Sequence, residues 1–228
     1  MFYPYDPTFI LLIPAIILAV YAQWKVQSTY AHMSEVHSRN GLTGAQVGRK
    51  LLDKNGLSSV EVEQISGNLT DNYDPRDKKL HLSEGVYSND SIAAFGIVAH
   101  EVGHAVQDAK AYAPLKIRSG LVPVANLGSQ LAIPLFFIGL IFGATKLMDL
   151  GIIFFSIAVA FTIITLPVEF NASHRAIAML KDGGYVTADE APLAKKVLDA
   201  AALTYVAATA MAVLNLIRLL ALRGERRD

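Results

Sequence analysis

The residues of this chain best suited to chemistry are two histidines four apart with a glutamate directly after the first, His100-Glu101-Val102-Gly103-His104. On a helix, positions four apart lie one turn above each other on the same face. Both imidazoles can then reach one metal ion, and the neighbouring glutamate can reach a water on that ion. Two neutral nitrogen ligands plus a general base form the arrangement of zinc-dependent hydrolysis. The chain has no cysteine, so a zinc ion (Zn2+) here is held by imidazole and carboxylate groups alone.

The flanks support a helix. Asn89, Asp90 and Ser91 are candidate caps, and Ile92-Ala93-Ala94-Phe95-Gly96-Ile97-Val98-Ala99 leads into the motif. An imidazole buried among such residues needs a polar partner. Gly103 costs up to about 1 kcal/mol of helix propensity. Either a close approach by another backbone or ligand, or simple helix packing, accounts for it.

A catalytic zinc takes three protein ligands and keeps one open position. Glu169 is the only glutamate between Glu101 and Glu190 and is the first candidate for the third ligand; His174 is the second. Ser173 shares a helix face with Glu169 and is placed to hydrogen-bond a zinc ligand. His174 and Arg175 are candidate catalytic residues, as donors to the oxyanion of a tetrahedral intermediate, with Tyr73, Tyr87 and Tyr185 as further donors.

These residues must be positioned by an apolar chain. Of 228 residues, 53% are hydrophobic, and the mean hydropathy of +0.37 is too high for an ordinary water-soluble domain. Twenty basic residues balance twenty acidic ones, so nothing points to nucleic acid. Four stretches are candidate membrane spans: Thr8–Trp24, Leu121–Ala144, Leu147–Val168 and Ala200–Leu222. The first lacks a basic start and a small-residue cleavage site, and reads as an anchor and not as a removed leader. The second and third spans form a hairpin across the bilayer. It returns Glu169 to the membrane face from which the motif helix departs.

Between the first two spans lies a polar region. Thr43-Gly44-Ala45-Gln46 is a capping box ahead of an amphipathic helix ended by Asn55-Gly56. Val60-Glu61-Val62 and Lys79-Leu80-His81-Leu82-Ser83 alternate like strands, with a turn at Asp74-Pro75-Arg76-Asp77. The second of these strands has two readings. One is an open edge that binds an extended peptide, with His81 and Leu82 as substrate-binding residues; the other is a hairpin that only packs the domain.

The expected fold is a mainly α membrane protein with about four transmembrane helices and a small α+β domain at one membrane face. Its expected parts are a membrane anchor at 1–25, a catalytic region at 26–118, a transmembrane hairpin at 119–168, a helix and linker at 169–199 carrying the third ligand, and a transmembrane helix with a basic tail at 200–228. The motif side carries Lys25, Arg39, Lys110, Lys116, Arg118, Arg175, Lys181, Lys195 and Lys196; the opposite side carries Lys146, Arg223, Arg226 and Arg227. That excess favours a cytoplasmic active site, while the basic tail argues the other way.

The stretch Leu69-Thr70-Asp71-Asn72-Tyr73-Asp74-Pro75-Arg76, the pairs Leu82-Ser83 and Val86-Tyr87, Asn89, Ser91-Ile92-Ala93-Ala94 and the motif itself resemble the bacterial neutral zinc membrane metallopeptidases (YugP-like proteins). Asn40-Gly41-Leu42-Thr43-Gly44, Pro167-Val168-Glu169-Phe170-Asn171-Ala172-Ser173 and the arginine-rich tail also fit, so the resemblance covers nearly the whole chain. It implies a multi-pass protein of the bacterial inner (cell) membrane with a zincin-like, gluzincin-type catalytic core. A more distant similarity is to membrane proteases with a Glu-x-x-x-Asp helix motif; Ser173 stands here where the aspartate would be. The function expected from motif and resemblance is endopeptidase action on membrane or membrane-proximal polypeptides through a zinc-bound water activated by Glu101. The alternative is a membrane scaffold or chaperone-like binding protein that keeps zinc for structure. The expected partners are a polypeptide substrate and the lipid bilayer.

Overall fold

The computed structural model describes residues 7–224. The first six residues of the expected anchor, and Arg226 and Arg227 of the basic tail, lie outside the described residues. The chain is mainly helical. A 3-10 segment at Pro7–Leu12 leads into α1 (Ile13–Ser34), followed by α2 (Gly44–Lys54), β1 (Glu61–Ile65), β2 (Asn72–Asp74), β3 (Lys79–Ser83), α3 (Glu84–Tyr87), α4 (Ile92–Ala109), α5 (Ala113–Phe142), α6 (Thr145–Asp182) and α7 (Ala191–Gly224). Four helical stretches are long and apolar enough to cross a membrane: Pro7–Ser34, Ala113–Phe142, Thr145–Asp182 and Ala191–Gly224. The helices outrun the apolar windows of the sequence. A helix continues wherever its backbone bonds can form, whether or not its residues are apolar. The linker expected up to residue 199 is therefore helical from Ala191 onward, because Leu193, Ala194, Val197 and Leu198 bury an apolar face.

The chain divides into two compact units. The first comprises Met1–Ala22, Ile117–Leu166 and Thr204–Asp228. Within it α5 and α6 lie backbone to backbone. A Cβ on Gly151 would stand 2.7 Å from the Ala132 carbonyl oxygen, and one on Gly128 would stand 2.9 Å from that of Phe154. Small residues of this kind let apolar helices pack closely where no hydrophobic force drives them together. Phe136, Met148 and Leu219 form its buried cluster, and Arg223 donates to both carboxylate oxygens of Asp149 at 2.7 and 3.1 Å.

The second unit, Gln23–Lys116 with Pro167–Leu203, holds the polar region and the motif. Helix α4 is its spine. Ser91 caps it by accepting from the Ala94 amide at 3.2 Å, and Phe95, Val98, Ala99 and Val102 are fully buried against α2, the sheet and the last turns of α6. Helix α2 begins with both bonds of its capping box: Thr43 Oγ1 accepts from the Gln46 amide, and Gln46 Oε1 accepts from the Thr43 amide. It stops at Asn55-Gly56, where Gly56 takes φ +74°. The small sheet has the order β1-β3-β2, with β3 parallel to β1 and antiparallel to β2.

That order corrects one reading. Lys79–Ser83 is the central strand, paired with β1 along its whole length and with β2 along Lys79–His81, so it is not the open edge of the sheet. Alternation places Leu80 and Leu82 on the buried face, both with no exposure, but it says nothing about which strands lie alongside. Replacing Thr43 with Ala is expected to lower stability by about 1 kcal/mol. Thr43→Ser should retain it, as read from thermal melts of the full chain in detergent.

Candidate metal centre

His100 and His104 project from one face of α4, and Glu169 meets them from α6. Their ligand atoms all lie within 4.8 Å of one another. His100 Nε2 is 3.2 Å, and His104 Nε2 3.5 Å, from the same oxygen, Glu169 Oε2. The imidazole rings stand at 87° to each other with centroids 4.7 Å apart. Ligand atoms about 2.0–2.1 Å from a tetrahedral zinc are separated by about 3.3–3.5 Å. The two nitrogen–oxygen distances match that spacing, and the donor set of two imidazoles and a carboxylate suits zinc. The site is also enclosed: the Glu169 side chain is 3% exposed and each imidazole 13%. Among the described residues these three form the one such cluster. His174 is not part of it and is exposed, one position beyond Ser173 on α6.

The far nitrogens of both rings are engaged. Ser173 Oγ lies 3.1 Å from His100 Nδ1, and Gln107 Oε1 lies 3.0 Å from His104 Nδ1. Each ring is thereby turned so that Nε2 faces Glu169. Gly103 makes the approach of α6 possible. A Cβ there would sit 2.8 Å from the Ala172 carbonyl oxygen and 3.2 Å from its Cα, so the residue between the two histidines lies against the helix that carries Glu169.

Glu101, the residue after His100 on α4, reaches towards the sheet while staying close to both imidazoles. Its Oε2 accepts the Tyr73 amide proton of β2 at 3.0 Å. Burial pushes its carboxyl above the usual carboxylate range; the imidazoles of His104 and His100 and the Tyr73 amide oppose that, and the Glu169 charge adds to it. The Tyr73 hydroxyl donates to Asp108 Oδ2 at 2.8 Å, so β2 is fastened to α4 at two points seven residues apart. Lys78 also reaches Asp108. Arg175 Nε donates to Asn171 at 2.7 Å. His81 is partly buried on the central strand, beside Glu63 and Asp77. Leu82 belongs to the core. Sequence reasoning overlooked Gln107 and the backbone of Tyr73. The first carried a readable signal, since it lies three residues after His104 and so on the same helix face; the second carried none.

The family model described as "Putative neutral zinc metallopeptidase" matches residues 8–224. The chain belongs to that family. It is 45% identical over 218 residues to the "Putative membrane protease YugP" of Bacillus subtilis (strain 168), covering 96% of this chain and 97% of that protein. No solved structure matches it. In this neutral zinc metallopeptidase family member the motif helix, the acid from α6 and the two Nδ1 partners all belong to one compact unit.

Two measurements follow from this geometry. Glu169→Ala should strip zinc from the purified chain by elemental analysis, whereas His174→Ala should leave it. Gly103→Ala should overpack the α4–α6 contact at a cost of about 1–3 kcal/mol, seen as a lower melting temperature accompanied by weaker zinc retention.

Proposed function

We propose that the chain is a zinc-dependent membrane endopeptidase that hydrolyses peptide bonds of membrane or membrane-proximal polypeptides. The observation that carries this reading is the meeting of His100, His104 and Glu169 at zinc spacing, with a carboxylate at the adjacent position of the same helix. His100, His104 and Glu169 would hold the ion as a gluzincin-type set. When bound, zinc supplies Lewis acidity, which polarises a peptide carbonyl and eases ionisation of water.

Glu101 supplies the base. It takes a proton from the attacking water and returns it to the amine as the carbon–nitrogen bond breaks. Its raised pKa makes the carboxylate a stronger acceptor for the water's proton than an ordinary glutamate. The Tyr73 amide holds one oxygen of Glu101, which fixes the carboxylate without supplying a charge. Ser173 and Gln107 keep the imidazoles aimed. His174 and Arg175 are the candidate donors to the oxyanion. The sheet edge beside Glu101 is β2, and an extended substrate meets the sheet there instead of at His81 and Leu82.

In this reading residues 26–118 and 169–199 form the catalytic part, and residues 1–25, 119–168 and 200–228 the membrane part. The protein is a multi-pass protein of the inner (cell) membrane with its active site on the cytoplasmic face. The bias of lysine and arginine towards the motif side supports that orientation.

Glu101→Gln should keep zinc bound and lower peptide cleavage by at least about 100-fold. The comparison is made on membranes expressing the intact chain and the variant, by proteomics of accumulating polypeptides. Equal cleavage by both would refute the role of Glu101, and a zinc-loaded chain with no Glu101-dependent cleavage would favour a binding protein. Single-cysteine variants at Lys54 and Arg226 test the orientation. The first should be labelled only from the cytoplasmic side.

A further inference from the structure

Gln107 is fully buried, and every hydrogen-bonding position it uses has a defined partner. Its Nε2 donates to the Val168 carbonyl oxygen at 2.9 Å and to Asn171 Oδ1 at 3.0 Å, while its Oε1 faces His104 Nδ1 at 3.0 Å. The orientation of a side-chain amide is known only through partners whose polarity is beyond doubt. Two such partners exist here. A backbone carbonyl only accepts, so the amide group nearest Val168 must be the nitrogen. A guanidinium only donates, so the Asn171 atom that meets Arg175 Nε at 2.7 Å must be the oxygen. That same oxygen is the one facing Gln107, which again requires the Gln107 nitrogen on that side.

Both anchors thus leave the Gln107 oxygen pointing at His104. An oxygen acceptor at Nδ1 requires a proton there, and Nε2 is then the nitrogen whose lone pair is free for a metal.

We propose that Gln107, held by Val168 and by the Arg175–Asn171 pair, is the positioning residue that selects the zinc-binding nitrogen of His104. The inference rests on the zinc reading above. Arg175 acts here through polarity, passing donor–acceptor order along Asn171 and Gln107 to an imidazole, with no contact with the ion. The arrangement also explains why a polar amide is tolerated inside an apolar helix. A buried amide with unmet hydrogen-bonding groups would be costly, but both its donors and its acceptor are satisfied.

The test uses the full chain in detergent, with zinc affinity measured by chelator competition and the histidine nitrogens followed by 15N spectroscopy of the zinc-loaded protein. Gln107→Met is close in size and has no polar amide. It should weaken zinc binding by about 10–100-fold, and the His104 Nδ1 proton, protected from exchange in the parent chain, should exchange with water while that of His100 stays protected. Arg175→Met should have a smaller effect in the same direction, because the Val168 anchor remains. Asn171→Asp should bind zinc within about threefold of the parent, since a carboxylate accepts from both Gln107 and Arg175; this variant leaves the buried core untouched and keeps the test open if Gln107→Met does not fold. An unchanged affinity and an unchanged Nδ1 proton in Gln107→Met would overturn the proposal, as would an Asn171→Asp chain that binds zinc as weakly as Arg175→Met. Failure of the parent chain to bind zinc, or full zinc retention by Glu169→Ala, would instead overturn the metal reading on which it depends.

Discussion

A carboxylate buried to 3% exposure between two imidazoles is the constraint on which the second unit depends. Removing Glu169 from water is unfavourable unless its oxygens are met by donors or by a cation. The neighbourhood is built to meet it. Two histidines one helical turn apart bring their Nε2 atoms to a single carboxylate oxygen, and their other nitrogens are tied to Ser173 and Gln107. Such a cluster tolerates little displacement, because polar groups inside protein are stabilising only when fully satisfied.

That demand explains the form of α4. A helix passing through the middle of a core would ordinarily be apolar on every face, and for most of its length α4 is. Its polar side chains near the middle of the core fall at His100, Glu101, His104 and Gln107. The histidines and Gln107 are met by α6, and Glu101 by β2. Within α4, Gly103 is the position where a side chain has no room, since the backbone of α6 fills the space a Cβ would occupy. Propensity lost at that residue is offset by the short interhelical distance that brings Glu169 to the two histidines.

Much of this was legible in the order of residues. The capping box at Thr43 and the Asn55-Gly56 stop are local signals, and local hydrogen bonds decide them. The motif spacing places two imidazoles on one face by helical geometry alone. Glu169 stood out because acidic residues are scarce in this part of the chain. Other features were not legible. The alternation of Lys79–Ser83 reports two faces, yet its place at the centre of the sheet depends on β1 pairing in parallel through a crossover connection. The early start of α7 escaped notice because charged residues at Lys195 and Lys196 mask an apolar face that repeats every three or four positions.

Residue type and spacing by themselves determined the chemistry available to this chain: a histidine pair at helical spacing, a glutamate between them, no thiolate, and apolar stretches long enough to enter a bilayer. These follow from short-range geometry and from transfer energetics, which need no knowledge of neighbours. Only the tertiary structure decided which atoms meet. The pairing of His100 with a residue 69 positions away, the grip of a backbone amide on Glu101 and the chain of bonds from Arg175 to His104 all depend on how separate helices and strands are brought together. Polarity can be passed from one side chain to the next only after that packing exists.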